Sequence, residues 1–146
     1  MFQGAAALNL DAKGRLAIPA RHREALAADG TIVLTAHPHR CLLVCPASAW
    51  APIREQLLAA PSLEYQSALV RRMFMGMARE EEMDAAGRVL VAPELREFAQ
   101  LEKEVRLVGQ GNYLELWSDA GWKKQQEAVF ALGDRLLPPS LQNLAL

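Results

Sequence analysis

The chain has 146 residues, of which 51% are hydrophobic and 23% charged, and a formal net charge of −1, the composition of an ordinary folded protein. That near-neutral balance excludes a polycation that coats nucleic acid indiscriminately, so any nucleic-acid binding has to come from a local patch. No apolar run approaches the length of a membrane span, and Met1-Phe2-Gln3-Gly4 lacks the basic and apolar stretches of a secretion signal, so a cytoplasmic location is expected.

Residues 2–10 read as a strand leading into Asp11-Ala12-Lys13-Gly14-Arg15. Gly14 stands where a tight turn calls for positive φ, and residues 15–18 form the return strand. Pro19 suits the first position of a short helix over residues 20–28. Ala25 and Leu26 lie on the apolar side of that helix, Arg21 and Arg23 face elsewhere, and Asp29-Gly30 stops it. Residues 31–36 form a β-branched strand, His37-Pro38-His39 a turn, and residues 40–45 the partner strand. The near-continuous hydrophobicity of that partner implies that both its faces are covered. Pro46-Ala47-Ser48 opens a helix through Trp50, Ile53 and Leu57 that ends near Pro61. In residues 62–78, Leu63, Val70, Met73 and Met77 recur at helical spacing and Phe74 widens the stripe. Such a stripe belongs to a core or buries against a neighbouring subunit. Arg71, Arg72 and Arg79 lie toward the other side and read as a solvated face.

The pattern then begins again. Asp84-Ala85-Ala86-Gly87-Arg88 follows the first motif by 73 residues, and each motif leads into an apolar run and a proline, Pro19 or Pro93. Arg23-Glu24 matches Arg96-Glu97, Leu34 matches Leu107, and Trp50 matches Trp122 at an offset of 72. A helix over residues 94–100, strands over 105–108 and 113–117 around a turn at 109–112, and a helix from Asp119 complete the second copy. The tail from Gly133 has no clear period and offers only Leu141, Leu144 and Leu146 for docking. The expected layout is a first repeat (1–60), a connecting helix (61–78), a second repeat (79–132) and a tail (133–146). Each repeat is small enough to be marginal alone, so the two are expected to share one core.

Enzyme signatures are missing: there is no Gly-x-Ser-x-Gly, phosphate loop, dinucleotide fingerprint or His-Glu-x-x-His. Neither catalysis nor a cofactor is expected. His22 corresponds to Leu95 in the second copy and reads as a packing residue. His37, His39, Cys41 and Cys45 lie close in sequence, but four residues of strand hold the cysteine α-carbons about 13 Å apart, too far for a disulfide or one shared metal. No metal site is expected, and the cysteines read as small core hydrophobes.

The repeated motif admits two readings. A glycine turn can project Arg15 and Arg88 from strand ends, with Lys13 at the first tip. Asp11 and Asp84 hold the turns by accepting backbone or guanidinium hydrogen bonds. A guanidinium fixed in this way suits guanine edges or phosphates. Alternatively, each Asp–Arg pair only closes its own turn.

Phe2-x-Gly4, Asp11-x-Lys13-Gly14-Arg15-Leu16 with the proline and helix after it, Trp50, Arg71-Arg72, Asp84-x-x-Gly87-Arg88, Leu107-Val108-Gly109-Gln110 and Glu115-Leu116-Trp117 form one series along the chain. On these residues the chain resembles the MraZ family of bacterial transcriptional regulators. The resemblance implies an α+β fold: two tandem swapped-hairpin, AbrB-like β-barrel halves forming an intramolecular pseudo-dimer with flanking helices. It further implies a nucleoid-associated, ring-shaped homo-oligomer that binds short direct repeats in double-stranded DNA. Its target would be the division and cell-wall gene cluster, which it would repress together with its own gene. Lys13 and Arg15 would make the main DNA contacts and Arg88 a secondary one, with Asp11, Gly14, Asp84 and Gly87 shaping the turns. Two departures stand out: Cys45 where the family commonly has tyrosine, and Ala86 where the first motif has Lys13, which points to weaker DNA binding by the second copy. The alternatives are an oligomeric scaffold binding an acidic partner and an antitoxin-type AbrB protein gripping a toxin.

Overall fold

The computed structural model describes all 146 residues. In chain order the elements are β1 (Ala5–Asn9), β2 (Arg15–Ala17), α1 (Ala20–Leu26), β3 (Ile32–Ala36), β4 (Leu42–Pro46), α2 (Ala47–Ala59) and α3 (Tyr65–Phe74). They continue with β5 (Arg79–Glu81), β6 (Arg88–Leu90), α4 (Pro93–Phe98), β7 (Glu104–Gly109), β8 (Leu114–Ser118) and α5 (Asp119–Leu132). The fold is α+β, and the second half repeats the first element by element, with α3 as the connection.

The two repeats are interleaved. Six strands form one sheet in the order β1-β7-β8-β4-β3-β5, and β2 and β6 form a separate two-stranded ribbon. The first strand of each repeat therefore pairs with the other repeat: β1 lies on β7, and β5 lies on β3. The two repeats also meet at the sheet centre, where β4 pairs with β8 in the register Leu42↔Leu116, Leu43↔Glu115 and Val44↔Leu114. Only the hairpins β3–β4 and β7–β8 keep their pairing within one repeat.

This arrangement corrects the expectation of β-barrel halves. The sheet does not close, because β1 and β5 end up at opposite edges instead of against each other. An open edge presents unpaired backbone groups, and charge is one way to keep another strand off it. Strand β5 is Arg79-Glu80-Glu81, charged at every position.

Burial explains the sequence patterns. Both faces of β3 and β4 are buried along their whole length, which is why they read as continuous apolar runs. The inner face carries the main core: Leu16, Ile18, Leu26, Ile32, Leu34, Leu42 and Val44 meet Val89, Val91, Leu95, Val105, Leu107, Leu114 and Leu116. On the outer face, Trp50 of α2 packs on Val33, Leu43 and Cys45, with Phe74 and Met75 closing over them. Thr35 is fully buried there and donates its hydroxyl to the Phe74 carbonyl, so the one polar side chain under α3 is satisfied. A second outer cluster joins Cys41, Val108 and Trp117 beneath Trp122 of α5.

Local details differ from the sequence reading in ways that packing explains. Pro19 is the N-cap of α1 rather than its first residue, whereas Pro93 does open α4. The buried face of α1 is His22 and Leu26, and Ala25 is exposed. His22 meets the Phe2 ring edge-on at 5.5 Å, and burial lowers its pKa, which favours the neutral form. Strand β4 starts at Leu42 because Arg40, at φ 67, spends its residue on the turn. Helix α3 spans less than the apolar stripe: Leu63 precedes it fully exposed, and Met77 follows it and packs on the main core. The tail forms two short 3-10 turns, Gly133–Arg135 and Pro139–Leu141, and none of its leucines is buried.

Candidate nucleic-acid interface

The ribbon β2–β6 brings the two motifs side by side. Arg15 pairs with Leu90 and Ala17 with Arg88, so each motif's arginine lies beside the far end of the other repeat's strand. The pairing runs past the strands into the turns: the Ile18 amide donates to the Gly87 carbonyl and the Val91 amide to the Gly14 carbonyl, both at 2.9 Å. The two turns are thus bonded into one surface.

Within each turn an aspartate does three jobs. Asp11 Oδ1 accepts the amides of Lys13 at 2.9 Å and Arg15 at 2.8 Å, while its Oδ2 accepts Arg15 Nε at 2.7 Å. Asp84 repeats the pattern with Ala86 at 3.0 Å, Arg88 at 2.8 Å and Arg88 Nε at 2.9 Å. Asparagine could accept the amides but would leave no charge to hold the guanidinium. In both pairs the aspartate binds through Nε, which leaves the terminal nitrogens of Arg15 without an ion-pair partner. Arg88 is more engaged, since its Nη1 also comes within 3.9 Å of Asp11 Oδ2. Lys13 stands exposed at the tip of the first turn, and the second turn has Ala86 there.

Gly14 and Gly87 do more than permit the turn. Their φ angles are +80° and +79°, a region that costs other residues strain. A Cβ on Gly14 would also meet the Arg96 guanidinium at 2.8 Å, and one on Gly87 would collide with Arg23. Those two arginines are tethered from below: Arg23 Nε donates to the Ile18 carbonyl at 2.8 Å and Arg96 Nε to the Val91 carbonyl at 3.0 Å. Each therefore reaches across to the other repeat's motif. The ribbon surface accordingly presents four guanidinium groups and Lys13 against two aspartates. The sequence reading did not assign Arg23 and Arg96 to this surface. Their matched positions in the two repeats were the available signal, but the crossing becomes visible only once β2 is paired with β6.

Both aspartates have pKa values lowered from 3.8, chiefly by the backbone hydrogen bond from the arginine four residues on, with the guanidinium bond adding to it. A lowered value means that the charged turn is complete above pH 3.8 and is lost as pH falls through the lower value. In a carboxyl-carbon NMR titration of the full chain, Asp11 and Asp84 are expected to titrate below 3.8. Midpoints at or above 3.8 would show that these bonds do not persist in solution.

With the geometry in place, comparison with known proteins is decisive. A family model described as "MraZ protein, putative antitoxin-like" matches residues 1–73 and again residues 73–133. The chain belongs to the MraZ family. It is 62% identical over 147 aligned residues to the transcriptional regulator MraZ of Azoarcus sp. strain BH72, covering all of both chains. The MraZ regulators of Aromatoleum aromaticum and Dechloromonas aromatica are 61% and 59% identical, again over the full length of each chain. The double match of the family model coincides with the repeat seen in the sequence and in the strand order, and the MraZ repeat boundary at residue 73 falls inside α3. No helix of this MraZ chain is long and apolar enough to cross a membrane.

Proposed function

We propose that this chain is a DNA-binding transcriptional regulator that acts as a homo-oligomeric ring on short direct repeats, repressing the division and cell-wall gene cluster and its own gene. The observation that carries the reading is the pair of Asp–Arg turns bonded into one ribbon, each guanidinium oriented through Nε, with both outer nitrogens of Arg15 and Nη2 of Arg88 left for another partner. Arg15 and Lys13 make the principal contacts. Arg88, shared between two aspartates, contributes less. Full-length relatives named as transcriptional regulators support the reading.

Charge makes the ring necessary to the mechanism. With a net charge of −1, the attraction of one chain for DNA is confined to the ribbon, which has only a few cations to place on phosphates. Binding through about two or three phosphates is weak and salt-sensitive, its logarithm falling by roughly 0.9 per contact per decade of salt. Exposed apolar side chains provide the means of assembly: Leu69 and Val70 on α3, and Val129, Phe130 and Leu132 on α5, are all unburied in the single chain. In a ring, repeats spaced about one helical turn apart meet neighbouring subunits on one side of the duplex. Each further contact is then intramolecular and can raise affinity by ~10²–10⁴.

Gel-shift titrations at fixed salt on one, two and three repeats of the chain's own upstream DNA test this reading. Affinity is expected to rise far more steeply than with independent sites, together with a light-scattering mass well above one chain. Equal affinity for one and three repeats, or a monomer at micromolar concentration, overturns it.

A further inference from the structure

A second constellation lies on the outer face of the sheet, away from the ribbon residues. His37 and Cys41 face each other across the β3–β4 turn, where the His37 amide donates to the Cys41 carbonyl at 3.0 Å and Arg40 takes up the left-handed conformation that closes the turn. Glu115 arrives from the other repeat, placed by the β4–β8 register that sets it opposite Leu43. One side-chain donor from each of His37, Cys41 and Glu115 lies within 4.8 Å of the others. Cys45, the other cysteine, sits instead in the apolar cluster under Trp50.

Glu115 is the anomaly. It is 7% exposed, and no lysine or arginine pairs with it. Its Oε1 accepts Trp117 Nε1 at 3.0 Å and Gln110 Nε2 at 3.3 Å, while Oε2 faces His37 Nε2 at 3.7 Å. A buried carboxylate without a cation is costly. The repeat does not require one here either, because the corresponding residue of the first copy is Leu43. One carboxylate oxygen is thus held by two donors, and the other is directed toward an imidazole and a thiol. That is how supporting residues orient a metal ligand.

We propose that His37, Cys41 and Glu115 bind one divalent transition-metal ion, zinc by the character of the donors. Thiolate, imidazole and carboxylate are the three side-chain ligand types of zinc. The fourth position opens into a cavity of about 450 Å³ lined by His39, Tyr113 and Trp122, where water or the His39 ring completes a tetrahedron. Binding releases one proton, as the Cys41 S–H bond breaks and a sulfur–metal bond forms. Without a metal, burial and the nearby carboxylate raise the thiol pKa far above its ordinary range; a bound dication reverses that balance. Burial also lowers the His37 pKa, which favours the neutral imidazole that ligates. His37 Nδ1 accepts the His39 amide at 3.1 Å, so coordination through Nε2 moves the ring proton to Nδ1 and gives up that hydrogen bond at the turn. The bound ion clamps the first repeat's hairpin to the second repeat's strand.

In the sequence His37, His39, Cys41 and Cys45 stand close together, and the spacing of the two cysteines argues against one metal among those four. Glu115 lies 74 residues beyond Cys41, so only the strand register could supply it.

The test is titration of chelator-treated full-length protein with Co²⁺, then with Zn²⁺. One cobalt per chain is expected, with a sulfur-to-cobalt charge-transfer band and the strong visible absorption of four-coordinate cobalt, both displaced by zinc. Cys41→Ser should abolish the band. Glu115→Gln and His37→Gln should each weaken binding by at least the roughly 10–100-fold that loss of a supporting partner costs. No charge-transfer band, or a band that survives Cys41→Ser, overturns the proposal. If Cys41→Ser fails to fold, His37→Gln on the surface turn decides, and undiminished cobalt affinity there overturns it equally.

Discussion

Residues 1–60 and 79–146, produced as separate fragments, are expected to show no cooperative unfolding as monomers. Separation removes the β1–β7, β3–β5, β4–β8 and β2–β6 pairings together. What remains within each fragment is a single hairpin, β3–β4 or β7–β8, with its flanking helices. A lone two-stranded hairpin is marginal in water, and domains of about 60 residues bury too small a fraction of their surface to spare most of their sheet. The inner core is shared in the same way, with Leu16, Ile18 and Leu34 from one repeat meeting Val89, Val91 and Leu107 from the other. Mixing the fragments should restore a cooperative urea transition, because the missing strands are then supplied in trans. A fragment that unfolds cooperatively as a monomer would refute the shared-core account.

Arg15→Ala is expected to abolish specific DNA binding while leaving far-UV circular dichroism and oligomer mass unchanged. The fold is spared because Arg15 is partly exposed and its backbone pairing with Leu90 survives truncation. Binding suffers twice. Each subunit loses a guanidinium contact of about 1–3 kcal/mol, and Asp11 loses the nearer of its two guanidinium partners, keeping only Arg88 at 3.9 Å, at a surface that must approach phosphates. Because linked contacts multiply, a loss of roughly 10³-fold is expected on a multi-repeat operator. Arg88→Ala should cost less, since Asp84 and Asp11 already share that guanidinium. Arg15→Lys should retain general salt-sensitive binding but lose discrimination, because lysine keeps the charge without the planar fork. Gel shifts on operator and scrambled DNA separate these outcomes. An Arg15→Ala protein that shifts the operator normally would remove Arg15 from the interface.

Local chemistry was legible in the chain, but pairing across distance was not. Gly14 announced a turn with positive φ, and the dense apolar run that became β4 announced a strand covered on both faces. Those signals are local, because the conformation of a residue and its neighbours decides them. The open sheet was not legible, since periodicity reports which face of a strand is buried but not which strand lies beside it. The same limit hid Arg23 and Arg96, which cross onto the opposite repeat's glycine. It also hid Glu115, which read as part of a family stretch and proved to be a buried carboxylate beside His37. The apolar stripe of residues 62–78 overstated its helix, because Leu63 and Met77 continue the spacing beyond the ends of α3.

The register Leu43↔Glu115 places these two residues on the internal two-fold axis relating the repeats. In a dimer of identical chains, a residue on such an axis faces its own copy, so a glutamate there would meet a glutamate. Like charges directly opposite on neighbouring strands repel. Joining the two copies into one polypeptide lifts that restriction, because one copy can keep leucine while the other acquires a carboxylate. Duplication followed by fusion thus lets the centre of this sheet become chemically one-sided, a change that a pair of identical subunits cannot make with a single substitution.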